Sequence, residues 1–342
     1  MMKKRFLTTL ILATGLALSL PLQAATLKIA TVTPEGSQWM EDMRAGAKEI
    51  KERTDGRVQI KYYGGGVMGS DQKVLSRIRI GSLQGGAFTP TALASQYSGL
   101  NLYGLPMVFD SAEEADFVRA RMDDKLIAGL EEAGYVSFGF AAGGFALLMS
   151  NTRISTFEDL KGKKVWVPEG DTISRQAMEA LSLTPVTLPL TDVLTGLQTG
   201  LIDVVGMSPI GALVLQWHTK IKYMSDLPLL YTLGFMAVDK KAFYKLNEED
   251  QAVVREVMGK IYQNFDTSNL ADNAGALEAM LNTGIETVPF ELSEYQRLRE
   301  TLKELNADLA DQGMLSKELY NEMLAYVAEY RAGSRDEAGP AN

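Results

Sequence analysis

Cysteine is absent from all 342 residues, and histidine occurs once, at His218. The first absence excludes disulfides, thiol chemistry and every cysteine-based metal site, so the fold has to stand on its core. The second rules out a multi-histidine zinc site, and any serine triad would have to run through His218. No G-x-S-x-G elbow accompanies it, so His218 reads as a partly exposed histidine near a helix end. Basic residues are also in short supply, with 34 Lys and Arg against 43 Asp and Glu and a formal charge of −9. Such a balance argues against nucleic acid and anionic lipid as partners. The acids themselves are dispersed as on solvated helix faces, and no pair is marked as general acid and base.

Long apolar runs are equally scarce. Residues 6–20 carry no charge and follow the basic MMKKR, ahead of Pro21 and the small-residue signal Leu22-Gln23-Ala24. This run is shorter than the ~20 residues that span a bilayer. The pattern predicts an export signal over 1–24, cleaved near Ala24, and a periplasmic mature chain that does not insert in the membrane. Its removal takes away Lys3, Lys4 and Arg5 and no acid, moving the formal charge from −9 to −12.

What is present is a hydrophobic content of 46%, enough for a large core. The length suggests about two domains. The periodicities alternate as in an α/β protein: a strand over 26–32, a helix over 37–53, strand 58–63, helix 70–80, extended 85–89 and a long helix over 111–133. Residues 135–150 exceed an ordinary strand, and their glycines suit a bend between domains. A second alternation follows with strand 164–167, helix 171–181, strand 185–189, helix 191–199 capped at Thr191 and ended by Gly200, and strand 202–208. Residues 229–238 are placed to carry the chain back, and 247–281 and 292–330 read as long amphipathic helices. The expected first domain is 25–145 with about 232–262, and the second is 146–231 with about 263–330. The last residues, 331–342, have no core of their own and read as a disordered tail.

Gly64-Gly65-Gly66-Val67-Met68-Gly69 fits G-x-G-x-x-G after a strand and before a helix. It lacks the acidic partner about 20 residues on that would hold a ribose, because no Asp or Glu lies between Asp71 and Asp110, and it follows the second strand instead of the first. It is therefore read as a glycine-rich turn into a helix N-terminus that faces a cleft, with Asp71 making that end poorly suited to anions.

Four segments, GGGVMGSDQKVLSRIRIGSLQGG, LPMVF, EDLKGKKVWVP and LTDVLTGLQTGLIDVV, occur in an order that resembles the solute-binding proteins of TRAP transporters, the DctP-like family. The resemblance covers nearly the whole mature chain. It implies a two-domain, type II-like periplasmic binding fold with crossover strands and long C-terminal helices. It also implies capture of a small organic acid and delivery to a permease of a small and a large membrane subunit, with no cofactor and no catalysis. A ligand-presenting sensor would carry the same features, and a hydrolase on a related scaffold would need a constellation that the motifs do not supply.

One position departs from the family. Most members have an arginine in the strand after the D-L-x-G turn that grips the ligand carboxylate, and here Trp166 stands there. A guanidinium fork meets a carboxylate at two points, whereas an indole offers one N–H and an apolar face. Loss of the fork from a desolvated pocket is expected to weaken carboxylate binding by about 2–5 kcal/mol. In one reading Trp166 lines the cleft and stacks on an apolar, aromatic, zwitterionic or cationic solute with Phe88 and Phe145. In the other it is core, and Arg175 or Arg153 holds an acid. By the same matching, Ser37, Gln38 and Trp39 stand at the first helix N-terminus, Thr89 and Thr91 at a strand end, and Ser208 near the family's ligand-binding asparagine. Glu169 and Asp171 would favour a positive or hydroxyl-bearing ligand or a cation, unless they only cap a helix.

Overall fold

The computed structural model describes residues 24–338, so the expected export signal, except for Ala24, lies outside the described residues. Strand β1 (Ala25–Ala30) leads into α1 (Gln38–Arg53). Ser37 sets that helix start by accepting from the Met40 N–H, and Met40, Met43 and Ile50 turn inward at helical spacing. Next come β2 (Val58–Tyr63), α2 (Asp71–Arg79), β3 (Gly85–Phe88), the short α3 (Pro90–Leu93) and α4 (Ala112–Glu132), close to the predicted spans.

Residues 135–150 form one 16-residue strand, β4 (Tyr135–Ser150). Its glycines do break the register, which slips between Ser137 and Phe140 and again between Ala142 and Gly144. Gly144 has φ +81 at the second slip, and a Cβ there would lie 2.7 Å from the Asn273 amide nitrogen.

The second alternation consists of β5 (Lys164–Pro168), α5 (Thr172–Ala180), β6 (Thr184–Leu188), α6 (Val193–Thr199), β7 (Val204–Met207), α7 (Pro209–Val214) and β8 (Tyr223–Ser225). The predicted Thr191 cap does not form: Leu190–Asp192 are a 3₁₀ turn, and the Thr191 hydroxyl bonds Asp192 instead. The chain then returns through β9 (Leu230–Asp239), α8 (Lys240–Phe243), the 35-residue α9 (Glu248–Asn282), β10 (Glu286–Val288), α10 (Leu292–Asp311) and α11 (Lys317–Ala338). The single helix expected over 292–330 is thus two, divided at Gly313, whose φ of +76 no helix can continue through.

Two sheets share β4. In one, β1 lies parallel between β2 and β3, and β9 runs antiparallel between β3 and β4. In the other, the end of β4 pairs antiparallel with β7 and β8, β5 is parallel to both β7 and β6, and β8 is parallel to β10. Strands β4 and β9 are therefore the crossings between the halves. Helix α9 spans them as well: Val254, Met258 and Tyr262 join the core under the first sheet, and Met280 joins the core of the second.

The tail expected to be disordered over 331–342 is helical as far as Ala338, and 339–342 lie outside the described residues. Its anchor is electrostatic: Arg331 Nε donates to Glu114 at 2.6 Å, and Arg331 also reaches the Val108 carbonyl at 2.8 Å. Glu114 is only 1% exposed, so its charge requires such a partner. Helix α11 packs on α4, with Tyr320, Met323 and Val327 in the first half's core, which departs from the expected allotment of 263–330 to the second half.

Candidate solute site between the two halves

A cavity of about 300 Å³ lies where the strands of both sheets end. The first half contributes Thr31 and Thr33 after β1, Trp39 on α1, Asp71 at the start of α2, Phe88 at the end of β3 and Thr89 to Thr91 after it. The second half contributes Trp166 and Glu169 on and after β5, Thr191 after β6, and Ser208 after β7. The carboxyl ends of parallel strands are where open α/β sheets hold ligands, because the loops there diverge and leave a crevice. The crossings supply Ala142 and Tyr231, and α9 supplies Tyr262 and Phe265.

Trp166 lines this cavity while being only 5% exposed. Its Nε1 donates to the Leu188 carbonyl at 3.0 Å, and its ring meets Trp217 edge-on, with centroids 5.1 Å apart at 86°. The indole donor is thus already used inside the protein, and the side chain offers a solute only its apolar surface. On the other side Trp39 packs on Phe265 at 6.0 Å, so aromatic rings face the cavity from both halves.

The polar lining is acidic. Among the described lining residues there is no Lys, Arg or His, while Asp71, Glu169 and Asp171 all take part. Asp171 accepts from the Ser174 N–H at 2.9 Å and caps α5, and burial pushes its carboxyl up. Burial, and secondarily the charge of Glu169 across the cavity, push Asp71 up to about 7. Glu169 Oε2 is buried with no hydrogen-bond partner among the described residues. Hydroxyls pair with one another, Thr31 with Thr33 at 2.9 Å and Thr89 with Thr91 at 3.1 Å, and Ser208 caps α7.

Because the folded Asp71 binds its proton more tightly than the unfolded chain does, its contribution destabilises the fold above pH ~7 and vanishes below pH ~4. Asp71→Asn is therefore expected to raise stability by up to ~3 kcal/mol at pH 8 and to change little at pH 4. Urea unfolding at the two pH values checks this, and an equal effect at both would contradict it.

Of the residues expected at the site, Trp39, Phe88, Thr89, Thr91, Trp166, Glu169, Asp171 and Ser208 line the cavity, and the others do not. Ser37 is used in capping α1, and Gln38 bonds Asp42 at 2.8 Å on the surface. Phe145 meets the cavity residue Tyr231 edge-on at 5.4 Å and does not itself line the cavity. Arg175 pairs with Glu179 at 3.0 Å in solvent, and Arg153 pairs with Glu286 and lies over the Tyr223 ring. Thr31, Thr33, Tyr231, Tyr262 and Phe265 escaped the sequence reading. Thr31 lies near the end of the predicted strand 26–32 and Thr33 just after it, so both were open to the strand-end rule, whereas the aromatic residues come from the crossings and α9, which no local pattern directs to a ligand.

Behind the crossings sits a buried ionic cluster. Arg119 on α4 is 4% exposed and donates to Asp266 at 2.5 Å, Asp123 at 2.9 Å and the Phe140 carbonyl at 3.2 Å. Asp266 also accepts from the Ala142 N–H at 2.9 Å, and Tyr231 donates to Asp116 at 3.2 Å. Two cavity-wall residues are thereby tied to α4 and α9.

Among proteins of known sequence, this chain is 24% identical over 219 residues to an uncharacterised protein of Haemophilus influenzae, covering 63% of this chain and 65% of that protein. It is 24% identical over 298 residues to the C4-dicarboxylate-binding periplasmic protein DctP of Rhodobacter capsulatus, covering 83% and 87% of the two chains. In structure it resembles the sugar acid binding protein of Advenella mimigardefordensis solved with galactonate, with a TM-score of 0.82 at 19% identity over 90% of this chain and 98% of that one. The shared architecture is the two-domain periplasmic binding protein fold. Residues 29–312 match the sequence model of DctP, described as bacterial extracellular solute-binding protein, family 7, and the chain belongs to that family.

Proposed function

We propose that this protein is exported, captures a small organic solute between its halves by hinge closure, and delivers it to a TRAP permease of a small and a large membrane subunit. The observation that carries this reading is the cavity of about 300 Å³ walled by strand ends from both halves. A volume of that size suits a compact metabolite. The solute-moving halves are taken as the expected 25–145 with about 232–262, and 146–231 with about 263–330, except that α11 is assigned to the first half because it packs on α4.

Three connections cross between the halves, β4, β9 and α9, and rotation about them would open the cavity as a hinge. The register slips of β4 at Gly139 and Gly144 interrupt its ladder with β9 and are suitable points for the chain to flex. The reading is non-catalytic. His218 lies outside the cavity lining, with Nδ1 3.3 Å from the Ala212 carbonyl, and no nucleophile and base are paired among the described lining residues. No described helix is long and apolar enough to cross a membrane.

Solution scattering tests the capture step. Protein stripped of co-purified solute is expected to show a larger radius of gyration than the same protein after the solute is returned. Identical profiles would overturn the proposal.

A further inference from the structure

The charge of the cavity points to a narrower class of solute. We propose that its preferred occupant is an organic cation, a primary or secondary ammonium on a compact apolar body, with the charged group held between Asp71 and Glu169. This rests on the solute-binding reading above.

The first support is the lining itself. An anion would find no Lys, Arg or His among the described lining residues, and the nearest candidates by sequence, Arg153 and Arg175, are paired elsewhere. The second is an unmet acceptor: Glu169 Oε2 is buried and unpartnered, and buried polar atoms are nearly always hydrogen-bonded once their surroundings are complete. No described residue donates a hydrogen bond to the Asp71 carboxyl either. An ammonium supplies two or three donors and the opposite charge, which meets both groups at once.

The turn carrying Glu169 lies against the helix carrying Asp71. A Cβ placed on Gly170 would stand 3.5 Å from Gln72 Nε2 and 3.5 Å from the Thr91 carbonyl, and the two acids of opposite halves are near enough for the charge of Glu169 to act on Asp71. Like charges approaching in a desolvated site repel, and a cation between them converts that repulsion into attraction. Such a solute would favour the closed arrangement over the open one, which is the condition for a ligand to drive closure.

Helix N-termini argue for anions in other proteins, but here Asp171 caps α5 and Ser208 caps α7, and at α2, whose N-cap Ser70 makes no side-chain hydrogen bond, the first turn already carries the acid Asp71. The remainder of the wall suits the apolar part of such a solute. Trp39, Phe88, Trp166, Tyr262 and Phe265 present aromatic surface, whose ring faces also attract cations.

Proton linkage provides a signature. Burial and Glu169 leave Asp71 titrating at about 7, so binding an ammonium drives the Asp71 proton into solution, and affinity rises between pH 6 and pH 8. The other titratable groups on the lining are Asp171, already engaged in capping, and the phenols of Tyr231 and Tyr262, both pushed up by burial; Lys73 lies on the same helix as Asp71.

Isothermal titration of the mature chain at pH 8 with 2-phenylethylamine, 2-phenylethanol and 3-phenylpropionate tests the proposal. The amine is expected to bind at least tenfold tighter than the acid and the alcohol, and titrations at pH 7 in two buffers of different ionisation enthalpy are expected to report proton release. Glu169→Gln and Asp71→Asn, each checked for cooperative unfolding, are expected to remove most of that preference, and Asp71→Asn also the proton release. Equal or tighter binding of the acid, equal binding of the alcohol, or no binding of any of the three would overturn the proposal. An acid that binds and closes the protein would do so while leaving the solute-binding reading intact.

Discussion

Replacing Arg119 by methionine is expected to cost about 3 kcal/mol of stability, read as a lower urea midpoint with an unchanged slope. The guanidinium is 4% exposed and joins Asp123 on its own helix to Asp266 on α9. Methionine fills much of the volume but leaves two carboxylates facing one another without a counter-charge. Those acids retain some water contact, at 22% and 34% side-chain exposure, which places the cost at the low end for a broken buried pair. The consequence reaches the cavity, because Asp266 also holds the Ala142 N–H of the crossing strand. A loss below ~1 kcal/mol would mean that the cluster contributes no more than a surface pair.

Trp166→Ala is expected to cost about 3–5 kcal/mol, the range for removing a large buried aromatic side chain. Three losses combine: the apolar burial, the edge-on contact with Trp217, and the donor to the Leu188 carbonyl. Trp166→Phe separates them, since the ring remains while the carbonyl loses its partner, and a cost of about 1–3 kcal/mol follows. Trp166→Arg would restore the family's cation but place it beside Glu169, so an internal ion pair competes with any solute carboxylate. If alanine lowered solute affinity without lowering the unfolding midpoint, the side chain would be a stacking platform only.

Much of the fold was legible because local signals agreed with tertiary packing. Helices α1, α4 and α9 each combine a capping residue, Ser37, Ser111 and Asn247, with an inward apolar stripe. The family resemblance, laid over the alternation of strand and helix, pointed to Thr89, Glu169 and Ser208, and all three line the cavity at strand ends. What failed was non-local. Nothing near Arg331 announces Glu114, 217 residues earlier, yet that pair holds the last helix that composition read as a tail. Helix facing was a second failure: Arg175 lies on the right helix but turns to Glu179 and solvent. Gly313 was a stop signal in plain view, overridden in the reading by the apolar pattern on both sides of it.

The substitution at 166 also changes in meaning. From sequence it removed a carboxylate grip and left open what replaced it. The structure adds that the indole N–H is committed to Leu188 and that the charged residues lining the same cavity are the acids Asp71, Glu169 and Asp171. The relative solved with galactonate and this chain share a fold, and in this chain the described lining of the cavity carries acids and no Lys, Arg or His.

The most direct measurement is mass spectrometry of the solute released by mild unfolding of protein taken from its native compartment. The account predicts a compact molecule bearing a basic nitrogen, present in near-stoichiometric amount. A dicarboxylate or sugar acid retained in that amount would contradict it.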